Sequence, residues 1–89
     1  MYLHLGQDVV VKTDQVVGIF DMENSTVSRI TRDYLAKATR QGRVVNVSME
    51  MPKTFIVCSG KEKEITVYIS QISAATLRKR TNFLSELPL

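Results

Sequence analysis

One stretch, NSTVSRITRDYLAKATRQG at Asn24–Gly42, carries helical periodicity over any length, while the apolar segments on either side are short and strand-like. A chain with one long helix and several strands is confined to an α+β arrangement in which the helix covers a sheet. Val27, Ile30, Tyr34, Leu35 and Ala38 recur at spacings of three and four, so they are expected on one inward face. Asn24 or Ser25 can cap the start through a side-chain oxygen, and Gly42 can end the helix in a left-handed turn. The opposite face carries Arg29, Arg32, Lys37 and Arg40, with Arg43 just beyond, against the single acid Asp33. One side suits a sheet and the other suits something negative.

The remaining segments supply the strands. Tyr2–Leu5 alternates weakly, Gly6 and Asp8 mark a turn, and Val9–Lys12 and Val16–Phe20 have β-branched strand composition. Gly18 inside the second of these runs points to a bulge or a close backbone approach. Arg43–Ser48 also reads as a strand, and it is broken by Met49–Lys53 with its proline. Thr54–Cys58 is continuously apolar, which requires cover on both faces. Glu64–Ser70 alternates, with Ile65, Val67 and Ile69 on one side. A hairpin over Thr54–Ser70 follows from the polar loop between these two runs. Ser73 can cap a short helix, Ala74–Thr81, with Leu77 inward, and Phe83, Leu84 and Leu87 form an apolar tail before Pro88. The expected fold is a small, mostly antiparallel sheet with one long amphipathic helix and a short C-terminal one.

Eighty-nine residues suit one domain, 1–89. A chain of this size buries only about 60–65% of its unfolded surface, so its core is thin and burial of a second face in an oligomer is a natural route to stability. The net charge of +3 is unevenly placed: residues 1–23 sum to −3, residues 24–58 to +4 and residues 59–89 to +2. That asymmetry fits a surface for a polyanion, and equally a solvated charged face. The lone Cys58 can form no internal disulfide and has no His or Cys spaced for zinc. The N-terminal MYLHLGQDVV has neither a basic leader nor a long apolar core, and no run of about 18 apolar residues occurs, so a cytosolic protein is expected.

No residue set has the form of a catalytic centre. His4 lacks a carboxylate or second histidine nearby and reads as a strand residue, Cys58 as packing, and the four separate glycines as no phosphate-cradling loop. No cofactor or metal site is expected. The basic residues are the remaining candidates, in the helix face, in the cluster Arg78-Lys79-Arg80 and at Lys53 in a proline loop. Arginine, which matches phosphate oxygens two at a time, makes up five of these eight positions. With no Trp and most aromatics in apolar contexts, duplex backbone binding is better served than single-strand stacking.

The opening MYLHLG, the segment VVGIFD at residues 16–21, the loop PKTFIV at 52–57 and the stretch TLRKRTNF at 76–83 together resemble the extracellular matrix regulators of the RemA/RemB family, most closely its RemB branch. The resemblance runs along nearly the whole chain in order. It implies a bacterial cytosolic protein that activates biofilm-matrix genes. It further implies subunits similar to LytTR-type DNA-binding domains, closed into rings that bind duplex DNA along a basic outer surface. The family's DNA-contacting arginine pair falls in the loop matched here by Pro52-Lys53, so Lys53 inherits one position and Pro52 stands at the other. Either Arg43, Arg78, Lys79 and Arg80 supply the missing charge, or this branch has a different partner.

Ring formation also has a motive in the residues themselves, since several strands and an apolar tail exceed what one small helix can shield. A head-to-tail contact repeated by rotation closes into a ring and multiplies weak phosphate contacts. Two functions are therefore expected in competition. One is an oligomeric double-stranded DNA-binding regulator using Lys53, Arg43, Arg78, Lys79, Arg80, Arg29 and Arg32. The other is a protein-interaction adaptor gripping a regulator through Met49, Met51 and the Phe83–Leu87 tail.

Overall fold

A computed structural model of the chain describes the backbone of residues 1–22 and 29–86, and side chains in that range up to Thr81. Strands β1 (Tyr2–Gly6) and β2 (Val9–Lys12) form an antiparallel hairpin that is a sheet of its own. After a single 3-10 turn at Thr13–Gln15 come β3 (Val16–Asp21), helix α1 (Arg29–Arg40), β4 (Val44–Asn46), β5 (Thr54–Ser59), β6 (Ile65–Ser70) and helix α2 (Ala74–Glu86). The last four strands make a second sheet in the order β3-β5-β6-β4. Its pairings are antiparallel except for β4 beside β6, which is parallel. The arrangement is α+β, as expected, but with two sheets rather than one.

The four-stranded sheet is the middle layer. Alternation along β5 sends Phe55 and Val57 to one face, where they meet Ala38, Val67 and the half-buried Leu35 under α1. Ile56 and Cys58 point to the other face and pack with Leu3, Leu5 and Val11 of the hairpin and Leu77 of α2. Thr54–Cys58 is covered on both sides, and its hairpin with β6 pairs Thr54 with Ser70 through to Ser59 with Ile65. The buried hydroxyls of Ser70 and Thr54 are satisfied: Ser70 Oγ donates to Leu5 O (2.6 Å) and accepts from Ile72 N–H (3.0 Å), while Thr54 Oγ1 donates to Ile72 O (2.9 Å); Gln71 Oε1 is buried without a hydrogen-bond partner among the described residues. These bonds stitch the hairpin and the start of α2 to the central sheet.

Local signals are realised where turn chemistry decides the backbone. Gly42 ends α1 at φ +70°, with its N–H bonded to Thr39 O (3.1 Å) and the Arg43 N–H reaching Ala38 O (3.0 Å), a left-handed C-terminal cap. Ser73 caps α2 by accepting the Thr76 N–H (3.2 Å). The β3–β5 register slips between Val16 and Gly18, the bulge that a glycine inside a strand foretells.

Three expectations change. Ile30 and Tyr34 do not face inward: Ile30 is 81% and Tyr34 38% exposed, and the inward stripe is Thr31, Leu35 and Ala38, spaced four and three apart. Ile30 lies one residue, or about 100° of rotation, off that stripe. The strand expected over Arg43–Ser48 shrinks to Val44–Asn46, the residues paired with Val67–Ile69 of β6, with the Arg43 carbonyl and the Val47 N–H making the flanking bonds to Val67 and Ile69. Helix α2 continues past Thr81 to Glu86, since nothing between Asn82 and Glu86 breaks a helix. The caps at Asn24 or Ser25, the contact of Val27 and the packing of Phe83, Leu84 and Leu87 lie outside the described residues and side chains.

Candidate nucleic-acid interface

The seven basic candidates fall in three places. Lys53 sits where β3 ends, β5 begins and β6 ends. Its N–H donates to Ser70 O (2.9 Å) and its carbonyl accepts the Met22 N–H (2.9 Å), so the backbone is held from both sides while the ammonium is exposed. With Asp21, Ser73 and Ala74 it lines a small cleft of about 160 Å³ at the start of α2. Proline ahead of it and two backbone bonds around it fix the Lys53 backbone at a rigid end of the sheet, from which its ammonium reaches out.

Arg78, Lys79 and Arg80 lie along α2. The first and third are used in a way that charge patterning does not reveal. Arg78 Nη2 donates to Ile19 O (2.6 Å) and Arg80 Nη1 to His4 O (2.9 Å). In an antiparallel ladder, bonded pairs alternate with unbonded ones. The Met22–Lys53 bond makes Phe20 and Phe55 a bonded pair, which turns the Ile19 carbonyl to the outer edge of β3. By the same counting, the bond from Thr13 N–H to Met1 O turns the His4 carbonyl to the outer edge of β1. The two arginines thus cap free edges of two different sheets. Each guanidinium has five N–H donors, so one such bond leaves others open to an anion.

Arg29 and Arg32 are exposed on α1, across the sheet from α2. Arg43 follows the α1 cap half-buried, its Nε donating to Gln41 Oε1 (2.7 Å) and its carbonyl accepting the Val67 N–H (2.8 Å). One chain therefore brings Lys53 together with the start of α2 but holds the α1 arginines on the opposite layer. Among the described residues, none of these cations is paired with a carboxylate.

Two residues set aside as structural are so in the fold. Burial pushes the Cys58 thiol up from 9.0 to about 11, which keeps it protonated and unreactive near neutrality. His4 lies on the outer face of β1 with Nε2 bonded to Gln7 O (2.6 Å).

A feature that charge reading misses is an apolar groove of about 300 Å³ between β3 and α1, with Val17, Phe20, Thr31 and Tyr34 on its rim and Phe55 and Val57 below. Phe20 and Phe55 stack in it at 4.9 Å between ring centroids. Its sequence signal was the run VVGIF, which is too apolar for a strand with one solvated face.

The family model for RemA-like proteins, described as extracellular matrix regulatory protein A-like, matches residues 2–81. This chain belongs to the RemA-like family. The matched span contains all seven candidate cations, so none sits on a segment foreign to RemA-like proteins. Among curated RemA-like relatives, Extracellular matrix regulatory protein B of Bacillus subtilis (strain 168) is 37% identical over 87 residues, which cover 98% of each chain. Among the described residues of this RemA-like chain, no helix is long and apolar enough to cross a membrane.

Proposed function

We propose that this RemA-like protein is a non-enzymatic regulator of extracellular-matrix genes in the cytoplasm that binds double-stranded DNA as a homo-oligomer. Its subunits, LytTR-like in design, close into a ring, and Lys53, Lys79, Arg29, Arg32 and Arg43 meet the phosphates, with the spare donors of Arg78 and Arg80 beside them. The observation that carries this reading is the set of cations, exposed but for the half-buried Arg43, that have no carboxylate partner among the described residues, on a chain whose net positive charge lies after residue 23. Because α1 and α2 flank opposite faces of the sheet, one copy presents two separate basic patches. Neighbouring copies are needed to join such patches into one footprint, which is the physical reason for assembly. Recognition is led by backbone charge and duplex shape, since the candidate cations are spread over α1, α2 and the Lys53 loop rather than gathered on one helix.

The test is a gel-shift series at low salt with a long duplex, comparing wild type with Lys53→Ala and the pair Arg29→Ala and Arg32→Ala. Each variant should bind several-fold more weakly. No shift with any duplex at low salt would end the proposal.

One observation favours a second reading. Met49 and Met51, at 102% and 81% exposure, flank Glu50 beside Lys53. Two bare thioethers around an acid suit a protein surface better than a phosphate chain. An adaptor that grips another regulator there would retain its binding after Lys53→Ala and lose it after Met49→Ser with Met51→Ser.

A further inference from the structure

The four-stranded sheet ends in β3 on one side and in β4 on the other. The β3 edge is stopped by Arg78, whose guanidinium occupies the outward carbonyl of Ile19. Among the described residues, the β4 edge has no such cover. Its ladder with β6 uses the Arg43 carbonyl, which accepts the Val67 N–H (2.8 Å), and the Val47 N–H, which donates to Ile69 O (2.9 Å). Backbone direction alternates along a strand, so Val45 also turns to β6, while the N–H and C=O groups of Val44 and Asn46 point outward. Those outward groups have no hydrogen-bond partner among the described residues. Val45 and Asn46 are exposed, Val45 at 38%.

An open edge of this kind selects its occupant. Donors and acceptors on alternate residues fit the backbone of an extended chain, which meets both kinds at once; a phosphate backbone has no N–H to offer the carbonyls. Charge narrows the choice. From Lys37 to Ser48 the chain carries Lys37, Arg40 and Arg43 and no acid, and β6 has none from Ile65 to Ser70. Arg40 is exposed at the end of α1, and the bond from Arg43 Nε to Gln41 Oε1 (2.7 Å) holds Arg43 at the start of β4. Neither has a carboxylate partner among the described residues. A second copy is the poorer occupant. Pairing β4 with β4 would gather the arginines of both chains with no acid between them, and pairing β4 with β3 would meet Arg78.

We infer that the outer edge of β4 takes up an extended segment of another protein as an added strand, one with acidic residues to meet Arg40 and Arg43 and an apolar residue to lie against Val45. The backbone of Val44 and Asn46 supplies the pairing, and the two arginines supply the selection. This goes beyond the proposed function, since it needs neither DNA nor Lys53 and shares only Arg43 with the phosphate contacts.

The experiment is fluorescence anisotropy on the full chain with a labelled peptide of alternating valine and glutamate, about eight residues long, within the usual range for a strand. The same peptide with every backbone nitrogen methylated is the control, equal in charge but without donors. Wild type should bind the first at least about tenfold more tightly than the second. Asn46→Pro removes an outward N–H that the ladder with β6 does not use, so the edge strand tolerates it and the charge is unchanged. Its affinity for the unmethylated peptide should fall about tenfold. Arg43→Glu leaves the edge backbone in place and should weaken binding as much. No binding of the unmethylated peptide, equal binding of the two peptides, or wild-type affinity in either folded variant would overturn the inference. Light scattering tests the other occupant: Asn46→Pro should keep the wild-type mass, and a lower mass would assign the edge to a second copy and overturn the inference as well.

Discussion

Arg78 Nη2 donates to the carbonyl oxygen of Ile19 at 2.6 Å, across 59 residues of chain, and that carbonyl faces the open edge of β3. Arg80 repeats the arrangement at His4 on the edge of β1 (2.9 Å). Helix α2 is therefore tied to both sheets by charged donors placed on strand-edge acceptors, while its Leu77 is buried between them. A basic cluster that looks like one surface feature divides by this geometry into two tethers and one free cation, Lys79.

That division is measurable. Arg78→Ala and Lys79→Ala remove the same charge, but only the first removes a bond to a strand edge. In urea denaturation, Arg78→Ala should lower stability by about 0.5–1.5 kcal/mol, the range of a net hydrogen bond at a solvent-exposed site. Lys79→Ala should stay within about 0.5 kcal/mol of wild type, as surface changes usually do. Equal effects would mean that the tether is energetically silent.

Ser70 should matter more than its size suggests. Its hydroxyl is buried, donates to Leu5 O and accepts from Ile72 N–H, so Ser70→Ala leaves two backbone groups without their partner. The expected loss is about 1–3 kcal/mol, which for a domain of this size lowers the melting temperature by at least about 4 °C. A calorimetric scan of the variant that overlays wild type would contradict the account of how the hairpin is fastened.

Core substitutions should separate Leu77, which helical spacing places correctly, from Ile30, which it misplaces. Leu77 is fully buried, and Leu77→Ala should cost about 2–5 kcal/mol. Ile30 is 81% exposed, and Ile30→Ala should cost less than about 0.5 kcal/mol in a monomeric background. Denaturation curves giving Ile30 a core-like cost would place it back on the inward stripe.

Much of the fold was legible because turn and cap chemistry is local. Gly42 at φ +70°, the Ser73 cap, the Gly18 bulge and the Thr54–Ser70 hairpin each follow from a few neighbouring residues. What escaped depends on partners far along the chain. Nothing near Tyr2–Lys12 states that this hairpin stacks on another sheet rather than joining it. Helical spacing admits Ile30 and Leu35 to the same face until the sheet selects a stripe one residue away. The candidate site was legible as an inventory of cations, but an arginine aimed at a carbonyl and one awaiting a phosphate are the same letter.

The Cys58 thiol gives a pH signature of the core. Burial raises its pKa to about 11 from 9.0, so the folded state holds the proton that the unfolded chain gives up first. Its contribution is fully present below pH 9 and is lost as pH rises from about 9 to about 11, where Tyr68, also pushed up by burial and by the Cys58 charge, adds to the decline. Denaturation midpoints should fall over that window in wild type and fall less in Cys58→Ala. Thiol labelling of the native protein at pH 8 should be slow and should become fast in denaturant.

The central claim is that exposed, unpaired cations of this chain hold duplex phosphates. Fluorescence anisotropy with a labelled duplex across a series of salt concentrations tests it most directly. Affinity should fall on a straight line in log K against log salt, with a slope of about −0.9 per phosphate neutralised, and Lys53→Ala should make that slope shallower by about one for each Lys53 engaged. Binding that is absent at low salt, or a slope that Lys53→Ala leaves unchanged, would contradict the account.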